Sequence, residues 1–146
     1  MGFSSAEKGE HMFYRITEIE GIGVDKARTM EKAGITTTEH LLAKAHDAKA
    51  RGRLAVQTGI GEKDLTQWVA MADLMRVKGI GRQYTELLLA VGVDSTPKLV
   101  AMKPKELVRL MDERKKARKL VGGVPKLAEV EQWQNELRAP AFAHAK

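Results

Sequence analysis

Apolar residues along this chain recur at helical spacing and are interrupted by glycine at intervals too regular to be incidental. Ile16 and Ile19 lie i,i+3 apart and lead into Gly21-Ile22-Gly23; Val24, Ala27 and Met30 then recur at i, i+3 and i+6 until Gly34. Spacing of three to four residues lines one face of a helix. Glycine supplies the positive φ and the close backbone approach of a tight turn. The pattern predicts a short helix, a glycine bend with its central Ile turned inward, and a second helix buried along Val24, Ala27 and Met30. Ala27 is small enough to let the two helices pack closely, and Gly34 ends the second one. Thr38 is the predicted N-cap of the next helix, with Glu39 at its first position.

The same phrase returns. At an offset of 58 residues the chain repeats Gly-Ile-Gly (21–23 and 79–81), the terminating glycine (Gly34 and Gly92), Thr38/Thr96 and Leu41/Leu99. Thr96 is then a predicted cap, followed by Pro97 at the position where a missing N–H costs least. A later piece, Leu65-Thr66-Gln67-Trp68 against Val130-Glu131-Gln132-Trp133, recurs at an offset of 65. The change in offset places a seven-residue insertion in the second copy, within 103–119. Two further bends follow from the same logic. Arg53–Thr58 leads into Gly59-Ile60-Gly61 and a helix over Lys63–Met75, buried along Leu65, Trp68, Val69, Ala72 and Met75. Lys115–Val121 leads into Gly122-Gly123-Val124-Pro125 and a helix through Val130, Trp133 and Leu137. The expected architecture is all-α: two pseudo-repeats of about 60 residues, each a pair of helical hairpins, over 12–73 and 74–138. The two tryptophans are expected core anchors, since stacking on a base would need exposure.

Composition narrows the chemistry. With 5% aromatic residues the core must be built from Leu, Ile, Val, Ala and Met, a palette that suits helices. The chain has no cysteine, which excludes disulfides, thiolate metal sites and a cysteine nucleophile. No apolar run approaches the roughly 20 residues that span a bilayer, and no signal peptide is visible, so a cytoplasmic chain with no membrane partner is expected. Residues 1–11 carry no helical period and end at His11-Met12; they are read as a cloning leader or disordered segment, and 139–146 as a flexible tail. The net charge of +6 is unevenly spread. Residues 1–73 hold 10 Lys and Arg against 11 Asp and Glu, whereas 74–146 hold 15 against 8. Such asymmetry can draw a polyanion to one face.

The pattern Ile16-x-x-Ile19-x-Gly21-Ile22-Gly23-x-x-x-Ala27-x-x-Met30 resembles the helix-hairpin-helix motif of DNA repair and recombination proteins. The fuller arrangement is more specific: ITEIEGIG near the start, TGIGEKDLTQWVAMADLMRVKGIG in the middle and a closing EVEQW. Over about residues 12–138 it resembles a bacterial family known as domain-of-unknown-function family 4332, itself likened to the helix-three-turn-helix part of flap-type nucleases. The family resemblance implies a tandem helix-hairpin-helix, SAM-domain-like helical bundle. The motif resemblance implies contact with nucleic-acid backbones, usually with Lys or Arg two residues after the second glycine.

Measured against that implication, the bends differ. A glycine turn opening a helix offers backbone N–H groups at the positive end of the helix dipole, where a phosphate can sit without any base being read. The first bend has Glu20 before it and Asp25 two residues after it, a poor setting for phosphate; Asp25 complements its own helix dipole. The second has Lys78 before Gly79-Ile80-Gly81 and Arg82 directly after, with neutral Gln83 at the usual basic position and Thr85 replacing the small Ala. The third, Gly59-Ile60-Gly61, has Lys63 at the basic position. The expected phosphate contacts are therefore Gly59, Gly61 and Lys63, then Lys78, Gly79, Ile80, Gly81 and Arg82. The densest charge, Arg114-Lys115-Lys116-Ala117-Arg118-Lys119, either extends that surface through Arg114, Lys115, Arg118 and Lys119 or merely solvates its helix. Neutralising four to six phosphates would give non-specific duplex binding at about 10⁻⁴–10⁻⁶ M.

Nothing in the sequence points to catalysis. The acids are scattered at helical spacing among basic residues, and histidines 11, 40, 46 and 144 show no ligand spacing. No preceding strand supports a phosphate loop or dinucleotide fingerprint. No cofactor is expected. The leading expectation is a non-enzymatic, sequence-independent binder of duplex DNA backbones. Its rivals are a protein-interaction or scaffolding module, in which the bends only build the fold, and an accessory to a nuclease or repair complex.

Overall fold

Eight α-helices and one small strand pair make up residues 7–8, 11–118, 123–140 and 142, the part of the chain that the computed structural model describes. The helices are α1 (Val24–Lys32), α2 (Thr38–Lys44), α3 (Ala48–Thr58), α4 (Glu62–Met75), α5 (Arg82–Ala90), α6 (Thr96–Ala101), α7 (Pro104–Arg118) and α8 (Leu127–Arg138). The fold is all-α apart from the two-residue strands β1 (Glu7–Lys8) and β2 (His11–Met12), which pair antiparallel. The short helix expected at Ile16 is a single 3-10 turn, Ile16–Glu18. At 15 residues, α7 exceeds its counterpart α3 by four, so the extra residues of the second copy begin within it. Residues 119–122, which hold the first part of the fourth expected bend, lie outside the described residues.

Two apolar clusters fill the interior. One joins Ile16, Ile19, Ile22 and Met30 to Leu65, Trp68, Met71 and Met75; the other joins Ile80, Leu88, Leu99, Leu107 and Met111 to Val130 and Trp133. They meet along α4, where Met75 belongs to the first cluster and its neighbour Leu74 to the second; Leu89 of α5 packs against both. Met71 and Leu74 thus join the buried set expected for α4, because a helix touching two clusters buries more than one stripe.

The tryptophans lock the bends, as their burial (4% exposed for Trp68, 2% for Trp133) suggests. A Cβ on Gly21 would stand 3.3 Å from Trp68 Nε1, and one on Gly79 would stand 3.1 Å from Trp133 Nε1. Both glycines also have positive φ, 99° and 96°. Conformation and close approach therefore both demand glycine there. In the first bend the Lys26 ammonium lies 5.6 Å from the Trp68 ring centroid; in the second, the Tyr84 ring lies 5.3 Å from Trp133. Residues 26 and 84 are separated by the same 58 positions as the bends.

Several expectations need correction. Val24, assigned to the buried stripe of α1, is 66% exposed, because the first residue after the bend projects away from the core that Ala27 and Met30 reach. The caps sit one residue earlier than expected: Thr37 accepts from the His40 N–H and Ser95 from the Lys98 N–H. Both have the extended backbone of a cap, while Thr38 and Thr96 turn inward and are buried. Thr38 Oγ1 accepts from the Tyr14 N–H, and the Thr96 N–H donates to Asp73. At the boundary between the stretch 1–11, expected to be a leader or disordered, and the first repeat, two residues touch the body. His11 is buried against the Phe142 ring, a residue of the expected tail, and the Met12 N–H donates to the Arg76 carbonyl.

Asp47 caps α3 by accepting the Ala50 N–H at 2.8 Å, and that bond holds its carboxyl below the usual carboxylate range. A carboxyl depressed in the folded state stabilises the fold above its unfolded value, and the contribution is lost as pH falls through the folded value. Acid titration followed by amide hydrogen exchange should therefore loosen α3. Asp47→Asn keeps a neutral cap oxygen and should flatten that response; identical acid loosening in both chains would contradict this role.

Candidate functional site

The helices that follow Gly-Ile-Gly begin differently from α2, α3 and α6. The first turns of α2, α3 and α6 are closed by the side chains of Thr37, Asp47 and Ser95. In contrast α1, α4 and α5 start at Gly23, Gly61 and Gly81, in extended backbone with no side-chain cap. A Cβ added at any of these three glycines would meet nothing within 4 Å. The central Ile22, Ile60 and Ile80 are buried, anchoring each bend from beneath. The outcome is three helix ends whose leading amides carry partial positive charge and have no side-chain cap.

Around the bend at 59–61, Gly59 and Gly61 are exposed, as is Lys63, whose ammonium has no ion pair among the described residues. Glu62 and Asp64 flank it in the first turn of α4, and Asp64 pairs with Lys26 at 3.7 Å. Around the bend at 79–81, Lys78 and Arg82 are exposed while Ile80 is fully enclosed. The Lys78 N–H donates to Glu136 Oε2 at 3.0 Å, and Arg82 Nε donates to Glu20 Oε1 at 2.8 Å. Thr85, the departure from the small residue, is accommodated because its hydroxyl donates to the Arg82 carbonyl at 2.7 Å. The first turn of α5 contains no acid, unlike those of α1 and α4.

The expected site residues do not form one patch. Lys63 lies at the start of α4 and Lys78 beyond its end, so most of that 14-residue helix, about 21 Å long, lies between them. Arg114 is used internally: its guanidinium donates to the Ala90 carbonyl at the C-terminal end of α5, the end remote from Arg82. Lys115 is half-buried, and Lys116 pairs with Asp112 at 3.1 Å. Arg118 ends α7; its side chain, and Lys119 altogether, lie outside the described residues.

Residues that the sequence reading passed over also bear on the site. Glu20 was legible only as a misfit at its own bend, and no spacing rule links it to Arg82, 62 residues away. Glu136 carried no signal, because Met71 occupies the matching position in the first copy. Tyr84 and Lys26 could have been found, since the repeat offset pairs them. Away from the bends, a cleft of about 850 Å³ opens between Phe13, Leu42, Val100, Leu137 and Phe142. Along it, Arg76 donates to Asp73 and Thr96 and lies 5.1 Å from the Phe142 ring centroid. Among the described residues, no group of three or more His, Asp or Glu could hold a metal ion, and no helix is long and apolar enough to cross a membrane.

A family model described as a domain of unknown function (DUF4332) matches residues 20–139. No curated protein and no solved structure matches the chain.

Proposed function

The chain belongs to the DUF4332 family, and from that premise we propose that it is a non-enzymatic module of tandem helix-hairpin-helix repeats that grips nucleic-acid backbones without reading sequence. The observation that carries this reading is the contrast in capping. Three glycine-started helices leave their leading amides without side-chain caps, and two of those ends stand beside Lys63, Lys78 and Arg82. Backbone amides at a helix start and adjacent cations together suit a phosphate oxygen, and neither element distinguishes one base from another. The bend at 79–81 is the better of the two, because α5 opens with Arg82 and no acid, whereas α4 opens with Glu62 and Asp64.

Affinity for a mixed-sequence DNA duplex, measured across salt concentration by fluorescence anisotropy, tests the reading. Three cations on phosphates should give a slope of log Kobs against log salt of about −3, since each contact contributes ~0.9. Sequence should make no difference. A flat salt response, or no binding at low salt, would overturn the proposal.

A second reading, a protein-interaction module, is favoured by the cleft, whose walls of Phe13, Leu42, Val100, Leu137 and Phe142 are largely apolar. Apolar concavities of this kind suit a side chain or helix of a partner protein. Substitution at Leu42 or Val100 would then abolish a specific protein complex while leaving duplex affinity intact.

A further inference from the structure

We propose that two donors beside the bend at 79–81 are occupied by the chain's own carboxylates, so that an incoming phosphate must displace Glu20 to take the Arg82 Nε donor; this rests on the phosphate-binding reading above. Two donors of that bend already hold anionic oxygens. Arg82 Nε donates to Glu20 Oε1 at 2.8 Å, and the Lys78 N–H donates to Glu136 Oε2 at 3.0 Å. The carboxylates come from separate places, Glu20 from the approach to the first bend and Glu136 from α8. Carboxylate and phosphate oxygens present similar acceptors to a guanidinium or an amide, so each occupies the place a phosphate oxygen would take.

The pair is exchangeable. Arg82 and Glu20 are each 47% exposed, which leaves both open to water and to a competing anion. The arrangement also explains Glu20, an acid beside a glycine bend where phosphate binding would favour a base. Its carboxylate serves the second bend rather than the first. The first half of the chain thus contributes the anion that restrains the second half, and an incoming phosphate has to offset that contact. A half-exposed pair of this kind corresponds to about a two- to fivefold change in an equilibrium constant.

A double-mutant cycle on the full chain tests the inference, with low-salt affinity for a DNA duplex as the readout. Glu20→Gln should tighten binding about two- to fivefold. Glu86→Gln makes the same charge change at an exposed position of α5 that has no ion pair among the described residues, and should do less. In an Arg82→Gln background, Glu20→Gln should do no more than Glu86→Gln, because the contact to be released is gone. If Glu20→Gln acts equally with and without Arg82, or fails to tighten a native chain that does bind, the competing Glu20 contact is overturned and the phosphate reading stands. If neither the native chain nor any variant binds the duplex, that reading fails and takes this inference with it.

Discussion

Trp133→Ala is expected to lower folding stability by about 3–5 kcal/mol, the usual cost of emptying a large aromatic site in a core. The indole is 2% exposed, belongs to the second cluster with Val130 and Leu99, and stands against Gly79 with Tyr84 by its ring. Its loss removes core volume and the wall that shapes the bend at 79–81. Since a domain has only about 5–15 kcal/mol to lose, the remaining stability should be marginal, and the thermal midpoint should fall on the order of 10 °C. Denaturant unfolding followed by circular dichroism measures this, with Trp68 left as a fluorescent reporter of the first cluster. A midpoint within experimental error of the native one would mean that Trp133 is not the anchor described.

Reversing charge at the second bend, Lys78→Glu with Arg82→Glu, is expected to weaken duplex binding by more than about tenfold at low salt. It should also flatten the salt slope by about 2, with ~0.9 lost per phosphate contact. Both side chains are exposed and neither is part of an apolar cluster, so helicity should be unchanged. The second substitution also turns a favourable Glu20 contact into repulsion, which adds to the effect. Undiminished affinity with native helicity would remove this bend as the contact even if binding itself survived.

Fold class and the bends were legible because they depend on local rules. Gly21 and Gly79 are bound to positive φ, Ile22 and Ile80 have nowhere to point but inward, and Trp68 and Trp133 stand at matched places in a duplicated phrase. The misplaced caps show where local rules compete. Thr37 and Thr38 are both good capping residues, as are Ser95 and Thr96, and the choice between neighbours is made by Tyr14 and Asp73, which hold the second residue of each pair inward. Val24 fails for a related reason. Spacing assigns a residue to a face, yet at the first position of α1 that face projects away from the core and Val24 stays exposed. The candidate site was less legible still. Lys63, Lys78 and Arg82 could be chosen by their distance from a glycine, but their separation along α4 and the arrival of Glu20 and Glu136 depend on how distant segments meet. Arg114 shows the opposite error: a residue in a dense cationic run is occupied by the end of α5.

The length of α4 also sets a footprint. Its 14 residues make a rod about 21 Å long between the bend at 59–61 and the turn that leads to 79–81, whereas successive phosphates of one strand advance ~3.4 Å along a duplex axis. Lying along that axis, the helix would span about six base-pair steps. On the phosphate-binding reading, an oligonucleotide of three or four base pairs is too short to reach along it, so a second grip, and the avidity it brings, would begin only with longer duplexes.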